Sequence, residues 1–61
     1  MLTRPRYEPG ILPTEHAHAG EWSVLDTFTQ EFCFKEYVGD KAGAIIAAGR
    51  LNAAYARAIA A

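Results

Sequence analysis

Ten of the 21 residues from Lys41 to Ala61 are alanine, and this run constrains the fold more than any other feature of the chain. Alanine is the strongest helix former, so the segment predicts a helix. Asp40 precedes it as an N-cap, a residue whose side chain accepts from first-turn N–H groups and whose charge suits the positive end of the helix. Ile45, Ala48, Asn52, Tyr55 and Ile59 recur at spacings of 3, 4, 3 and 4. That alternation is the seam of a helix packed lengthwise on another helix. Arg50 and Arg57 fall on the opposite face, and Gly43, Ala44, Ala47, Ala48 and Gly49 allow a neighbouring backbone to come close. The segment reads as the core helix of a small domain or as a partner-binding helix, and in so short a chain the two roles overlap.

The rest of the chain offers that helix little to pack against. Sixty-one residues make at most one domain, 1–61, and a chain of this size buries only about 60% of the surface that its unfolded form exposes. Small scaffolds of this kind need a disulfide, a metal or a partner chain. Cys33 is the single cysteine, so no intramolecular disulfide can form, and a lone thiol among apolar residues suits a reducing, cytoplasmic compartment. The net charge of −1 gives no global reason to bind nucleic acid or an anionic membrane. The charge is unevenly spread, however. Residues 1–21 carry −1, residues 22–40 carry −3 and residues 41–61 carry +3, so the middle and the end of the chain are complementary. Prolines and glycines interrupt the stretch after Arg4 and Arg6, which argues against a signal peptide. Arg50, Asn52 and Arg57 argue against a membrane span in the alanine-rich segment.

All three prolines lie in residues 1–21, and each turns its preceding residue away from helix. With Leu2, Tyr7, Ile11 and Leu12 as isolated apolar side chains, this segment reads as an extended arm. Residues 22–38, WSVLDTFTQEFCFKEYV, support two readings. As a helix they start at Ser23 with Asp26 three residues on, a capping-box variant, and stop at Gly39. Val24, Leu25, Phe28 and Phe32 then share a face, although Lys35 and Glu36 intrude on it. As a strand they put Phe28, Phe32, Phe34 and Val38 on one side, in a composition that favours strands. The leading expectation is a mainly α, helical protein: an extended arm, then a helical hairpin turned at Gly39-Asp40, which sets the −3 segment against the +3 segment. The second is a small α+β fold, with a strand or β-hairpin within 22–38 packed on the C-terminal helix.

His16 and His18 raise the question of a metal. In an extended segment they point to one side, whereas in a helix they stand about 200° apart. Glu15 and Glu21 could add oxygen ligands. The order Gly10, five residues, His16-Ala17-His18, Glu21 is similar to the first metal motif of the cupins, which by analogy would make both histidines ligands in a β-barrel. The chain departs from that pattern. Glu21 follows after only two residues, Phe28 stands where a glycine is expected, and no further histidine exists for the second motif. The segment therefore reads as a loop, with His16, His18 and Glu21 as the residues a metal would use. Gly39, Lys41 and Gly43 lack the spacing and the Ser/Thr of a phosphate-binding loop. Cys33, in a Phe-Cys-Phe run, reads as a buried, unreactive thiol. Arg4 and Arg6, with Arg50 and Arg57, make a thin basic footprint among seven acids.

These observations lead to a non-enzymatic protein–protein interaction protein, an accessory subunit or an inhibitor or regulator of a larger protein, with no cofactor and no catalytic residues. Aromatic and arginine side chains are the usual interface anchors. Tyr7, Trp22, Phe34 and Tyr37, with Ile11, Leu12, Arg50 and Arg57, are the candidate partner-binding residues. The partner is a larger protein or a second copy of the chain; nucleic acid is disfavoured and a membrane is not expected. The alternatives are a small DNA-binding regulator and a metal-binding protein using the His-Ala-His segment.

Overall fold

The computed structural model describes residues 5–60; Leu2 and Arg4 of the arm, and Ala61, lie outside them. The chain is not a helical hairpin. Strands β1 (Tyr7–Ile11), β2 (Trp22–Asp26), β3 (Glu31–Phe32) and β4 (Val38–Gly39) form one antiparallel sheet, and a single helix, α1 (Lys41–Ala60), follows them. The class is small α+β, and among the described residues only α1 is α-helical, so "mainly α" and "helical" are corrected. Even the second reading left the arm outside the sheet, where the arm in fact supplies β1.

Strand β2 is central. β1 flanks one edge, pairing Tyr7 with Asp26 and Ile11 with Trp22. β3 and β4 share the other edge, β3 beside Leu25 and Asp26 and β4 beside Trp22 and Ser23. Between them residues 33–37 leave the ladder. The Cys33 N–H donates to the Val24 carbonyl (2.7 Å), and Ser23 Oγ donates to the Tyr37 carbonyl (2.7 Å). This break explains why the helical reading of 22–38 fails. A helix would drag Lys35 and Glu36 onto an apolar face, whereas the loop leaves both exposed. Gln30, at φ 63°, also stands in a backbone region that a helix does not use. Ser23 is thus a buried strand residue rather than a helix cap, and Gly39 lies in β4 rather than at a helix end.

The arm becomes an edge strand because of where its proline falls. Thr27 N–H donates to Arg6 O (2.7 Å) and Leu12 N–H to Glu21 O (2.9 Å), so even-numbered residues of β1 bond toward β2 and odd-numbered ones face outward. Pro9 therefore puts its missing N–H on the open edge, where a strand proline is tolerated and discourages further pairing. At Tyr7 the open edge is closed by α1: Asn52 Oδ1 accepts from Tyr7 N–H (2.9 Å) and Asn52 Nδ2 donates to Tyr7 O (2.8 Å). One side-chain amide thus substitutes for a neighbouring strand.

The start of α1 is capped as the sequence implies. Asp40 Oδ1 accepts from Gly43 N–H (2.8 Å). Tyr37 strengthens the cap, its hydroxyl donating to Asp40 Oδ1 (2.8 Å) and accepting from Asp40 N–H (3.2 Å). A Cβ on Gly43 would stand 1.9 Å from that hydroxyl, so glycine is required there. These bonds hold the Asp40 carboxyl below its ordinary range, the Gly43 N–H being the larger cause and the Tyr37 hydroxyl next. The buried apolar core is small: Leu12, Val24, Ala44 and Ala48. α1 lies on β1, β2 and β4, with Ala44 and Ala48 turned inward.

Candidate interaction surface

Three regions concentrate chemistry, and they differ in how fully the chain satisfies them. The first is centred on Arg6. Its Nη2 donates to Asp26 Oδ2 (3.1 Å) and its Nε to Asp26 Oδ1 (3.2 Å). The guanidinium carbon stands 4.9 Å from the Tyr55 ring centre, 5.1 Å from Phe28 and 5.3 Å from Tyr7, within the reach of cation–π attraction. Asp26 also accepts from Phe28 N–H (3.0 Å). The Arg6 hydrogen bond is the main cause that holds the Asp26 carboxyl below its usual range, and Asp26 in turn raises Arg6. Strand β1, the end of β2 and the last third of α1 converge here, so the cluster clamps the fold together.

The second region is the histidine loop. Residues 13–20 form turns, not a strand. His16 N–H donates to Pro13 O (3.0 Å) and Ala19 N–H to His16 O (3.1 Å), and Gly20 at φ 86° closes the loop against Leu12. The His18 backbone N–H donates to His16 Nδ1 (3.0 Å), and His18 Nδ1 donates to Glu21 Oε2 (3.0 Å), since an ionised carboxylate only accepts. The two rings stand 5.8 Å apart. Among the described residues no three His, Cys, Asp or Glu side chains gather as a metal-binding group. His16 instead meets Phe34 edge-on at 5.3 Å. Both line an open groove of about 650 Å³ that also includes Phe32, Cys33 and Lys35. Burial pushes the Cys33 thiol up, which keeps it protonated at neutral pH.

The third region is the outer side of α1. Ile45 and Ile46 are 51% and 63% exposed. At about 100° per residue, Ala42, Ile45, Ile46, Gly49, Ala53 and Ala56 form one exposed sector without a charge. Arg50 and Arg57 border it; neither makes a hydrogen bond or ion pair with any described residue. On their far side they line a groove of about 490 Å³ with Glu36, Ala47, Leu51 and Ala54.

The residues singled out from sequence are thus dispersed. Leu12 is 2% exposed and belongs to the core, not to a docking surface. Tyr7 and Tyr37 are half-buried and engaged within the fold, the first by Asn52 and Arg6, the second by Asp40. Trp22 is half-buried, with Lys41 Nζ 5.3 Å from its ring. Ile11, Phe34, Arg50 and Arg57 are exposed. Of the seam, Ala48 is buried and Asn52 and Tyr55 face the sheet, whereas Ile45 and Ile59, on the same stripe, are exposed. The expected pairing of the −3 and +3 segments does not form: among the described residues Arg6 pairs with Asp26 and His18 hydrogen-bonds Glu21, and neither contact involves the C-terminal helix. Sequence reasoning missed Ile46 as an exposed apolar residue. The available signal was a second apolar stripe, Ile46, Ala53 and Ala60, at two-turn spacing. The Arg6–Asp26 clamp had no signal, because only the β1–β2 register brings the two together. In comparisons of sequence and fold, the chain matches no known protein family, no curated protein and no solved structure.

Proposed function

We propose that the chain is a non-enzymatic interaction protein that works as an accessory subunit or inhibitor of a larger protein. The observation that carries this reading is the exposure of Ile45 and Ile46 on a helix whose inner face is already packed. A helix apolar on nearly all sides is characteristically one that is buried on all sides. Among the described residues four apolar side chains are buried as the core, and these isoleucines are left outside it. Among the described residues no helix is long and apolar enough to cross a membrane, and the half-buried, unpaired Cys33 suits a reducing, cytoplasmic setting. A DNA-binding role is less well supported, because Arg6 is engaged by Asp26 and leaves Arg50 and Arg57 as a pair. The test is to purify the tagged full chain from its native cells and weigh the complex. Recovery in a stoichiometric assembly is expected; recovery as a free monomer with no partner would reject the reading.

A further inference from the structure

The outer face of α1 has an occupant whose chemistry can be specified. We infer that it docks an acidic amphipathic helix of a different protein, one with a ridge of large aliphatic side chains and carboxylates two turns apart. The inference rests on the interaction reading above and adds the surface and the kind of partner.

Three features converge. Ile45 and Ile46 stand in solvent in the first half of a 20-residue helix, and Ala53 and Ala56 continue the same exposed sector along it. Between them the surface dips at Gly49, where an added Cβ would meet nothing within 4 Å. Glycine within a helix is about 0.8–1 kcal/mol less favourable than alanine, and nothing in this chain's own packing uses the space. A partner side chain seated between Ile46 and Ala53 does use it, as a knob enters a hole. Finally, Arg50 and Arg57 rise along one border of the sector, seven residues apart; Glu36 lines the groove on their far side, yet neither arginine forms an ion pair with a described residue.

That border selects among occupants. α1 contains Lys41, Arg50 and Arg57 and no acidic residue. In an antiparallel pair about a two-fold axis, like borders meet, so Arg50 and Arg57 would face the same two arginines of a second copy. In a parallel pair they would meet Asn52 and Ile59, which again offer no negative charge. Like charges across an interface disfavour that partner, and opposite charges favour another. A membrane is a poorer match, because helices that lie in the bilayer surface carry Trp, Phe or Leu on the buried side, and this sector is chiefly alanine and glycine.

The test uses the full chain and two labelled synthetic peptides of three heptads. Both carry leucine at a and d; one has glutamate at e and g, its twin lysine. We expect the glutamate peptide to bind at least about tenfold more tightly at low salt, as expected for close charge pairs each worth on the order of 1.4 kcal/mol or more. Arg50→Glu with Arg57→Glu should reverse the preference. Gly49→Leu, which has open space and a good helix former, should keep the circular dichroism spectrum and lose binding. Equal affinities, or no binding to either peptide, would overturn the inference. So would reversible self-association of the wild type that Ile46→Asp abolishes, which assigns the face to a second copy. Binding to vesicles rich in phosphatidylserine but to neither peptide would overturn it in favour of a membrane. If the complex from native cells also forms with Ile46→Asp, the interaction reading stands and this surface is wrong.

Discussion

The two sides of α1 invert the usual arrangement. The inner side carries Ala44, Ala48, Asn52 and Tyr55; the outer carries Ile46 and Gly49, with the exposed Ile45 at its border. Small residues on the inner side let the helix backbone lie close to β1 and β2, near enough for the short Asn52 amide to reach the Tyr7 backbone. What holds that side is therefore close approach and directed bonds, with little apolar volume. The outer side has the volume and no bonds. The difference separates two kinds of constraint on one helix: the inner side is set by the chain's own fold, while the outer side is not explained by it.

The largest test of this division is to remove what the inner side packs on. Deleting residues 1–10 takes away most of β1, the acceptor and donor on Tyr7 that Asn52 uses, and the Arg6 clamp. We expect loss of any cooperative thermal transition, read by circular dichroism. A truncated chain that still melted cooperatively would show that the strand only decorates the fold. Next, Ala48→Leu should destabilise by about 1–3 kcal/mol, the usual effect of overpacking, whereas Ile46→Asp should stay within about 0.5 kcal/mol, as for exposed sites. Urea midpoints compare the two directly, and equal effects would erase the distinction between the faces. Asn52→Ala should follow at about 1–3 kcal/mol, from two lost hydrogen bonds of about 0.5–1.5 kcal/mol each.

A smaller effect is read along the pH axis. Asp26 and Asp40 both have carboxyls held below the ordinary range, by Arg6 and by the Gly43 N–H respectively. The folded chain therefore binds fewer protons than the unfolded chain in mild acid. The stability this linkage gives is complete above the range in which free carboxylates titrate, and it is lost as pH falls through the lower range in which Asp26 and Asp40 protonate in the fold. Urea midpoints should fall between pH 5 and pH 2, and Asp26→Asn should flatten part of that slope. A slope unchanged by Asp26→Asn would remove the clamp from the account.

The same inversion decides what was legible in the sequence. The helix and its Asp40 cap were legible because alanine content and a capping aspartate are local signals. The seam was legible only at its middle. Ala48, Asn52 and Tyr55 face the sheet, whereas Ile45 and Ile59 share their stripe by rotation yet stand exposed, because apolar spacing marks a side of a helix without saying how much of its length is covered. Residues 22–38 misled for another reason. Ser23, Asp26 and Gly39 are good helix boundary residues by local chemistry, yet Ser23 and Asp26 are satisfied by distant partners, Tyr37 and Arg6, which no local pattern announces. Pro9 correctly excluded a helix from the arm, but its position on the open side of an edge strand follows only from the register with β2. Of the candidate surface, Arg50 and Arg57 could be picked out as exposed, while the apolar sector beside them was hidden among ten alanines that read as helix chemistry alone.

One further effect, also small, has the opposite sign and is the most direct probe of the outer side. Gly49 lies mid-helix, with φ outside the positive region that glycine alone tolerates and with open space where a Cβ would stand. Its neighbours Ala48 and Leu51 pack inward without it. The fold therefore has no steric use for a glycine there, and Gly49→Ala should raise stability by about 0.5–1 kcal/mol, through the lower backbone entropy of the unfolded chain. The measurement is the urea midpoint of the isolated protein. A fall in stability would mean that the chain itself needs the gap and that the outer side is part of its own packing. A rise, coupled with weaker binding of the glutamate peptide, would show a residue that lowers the stability of the free protein and serves only the assembled one.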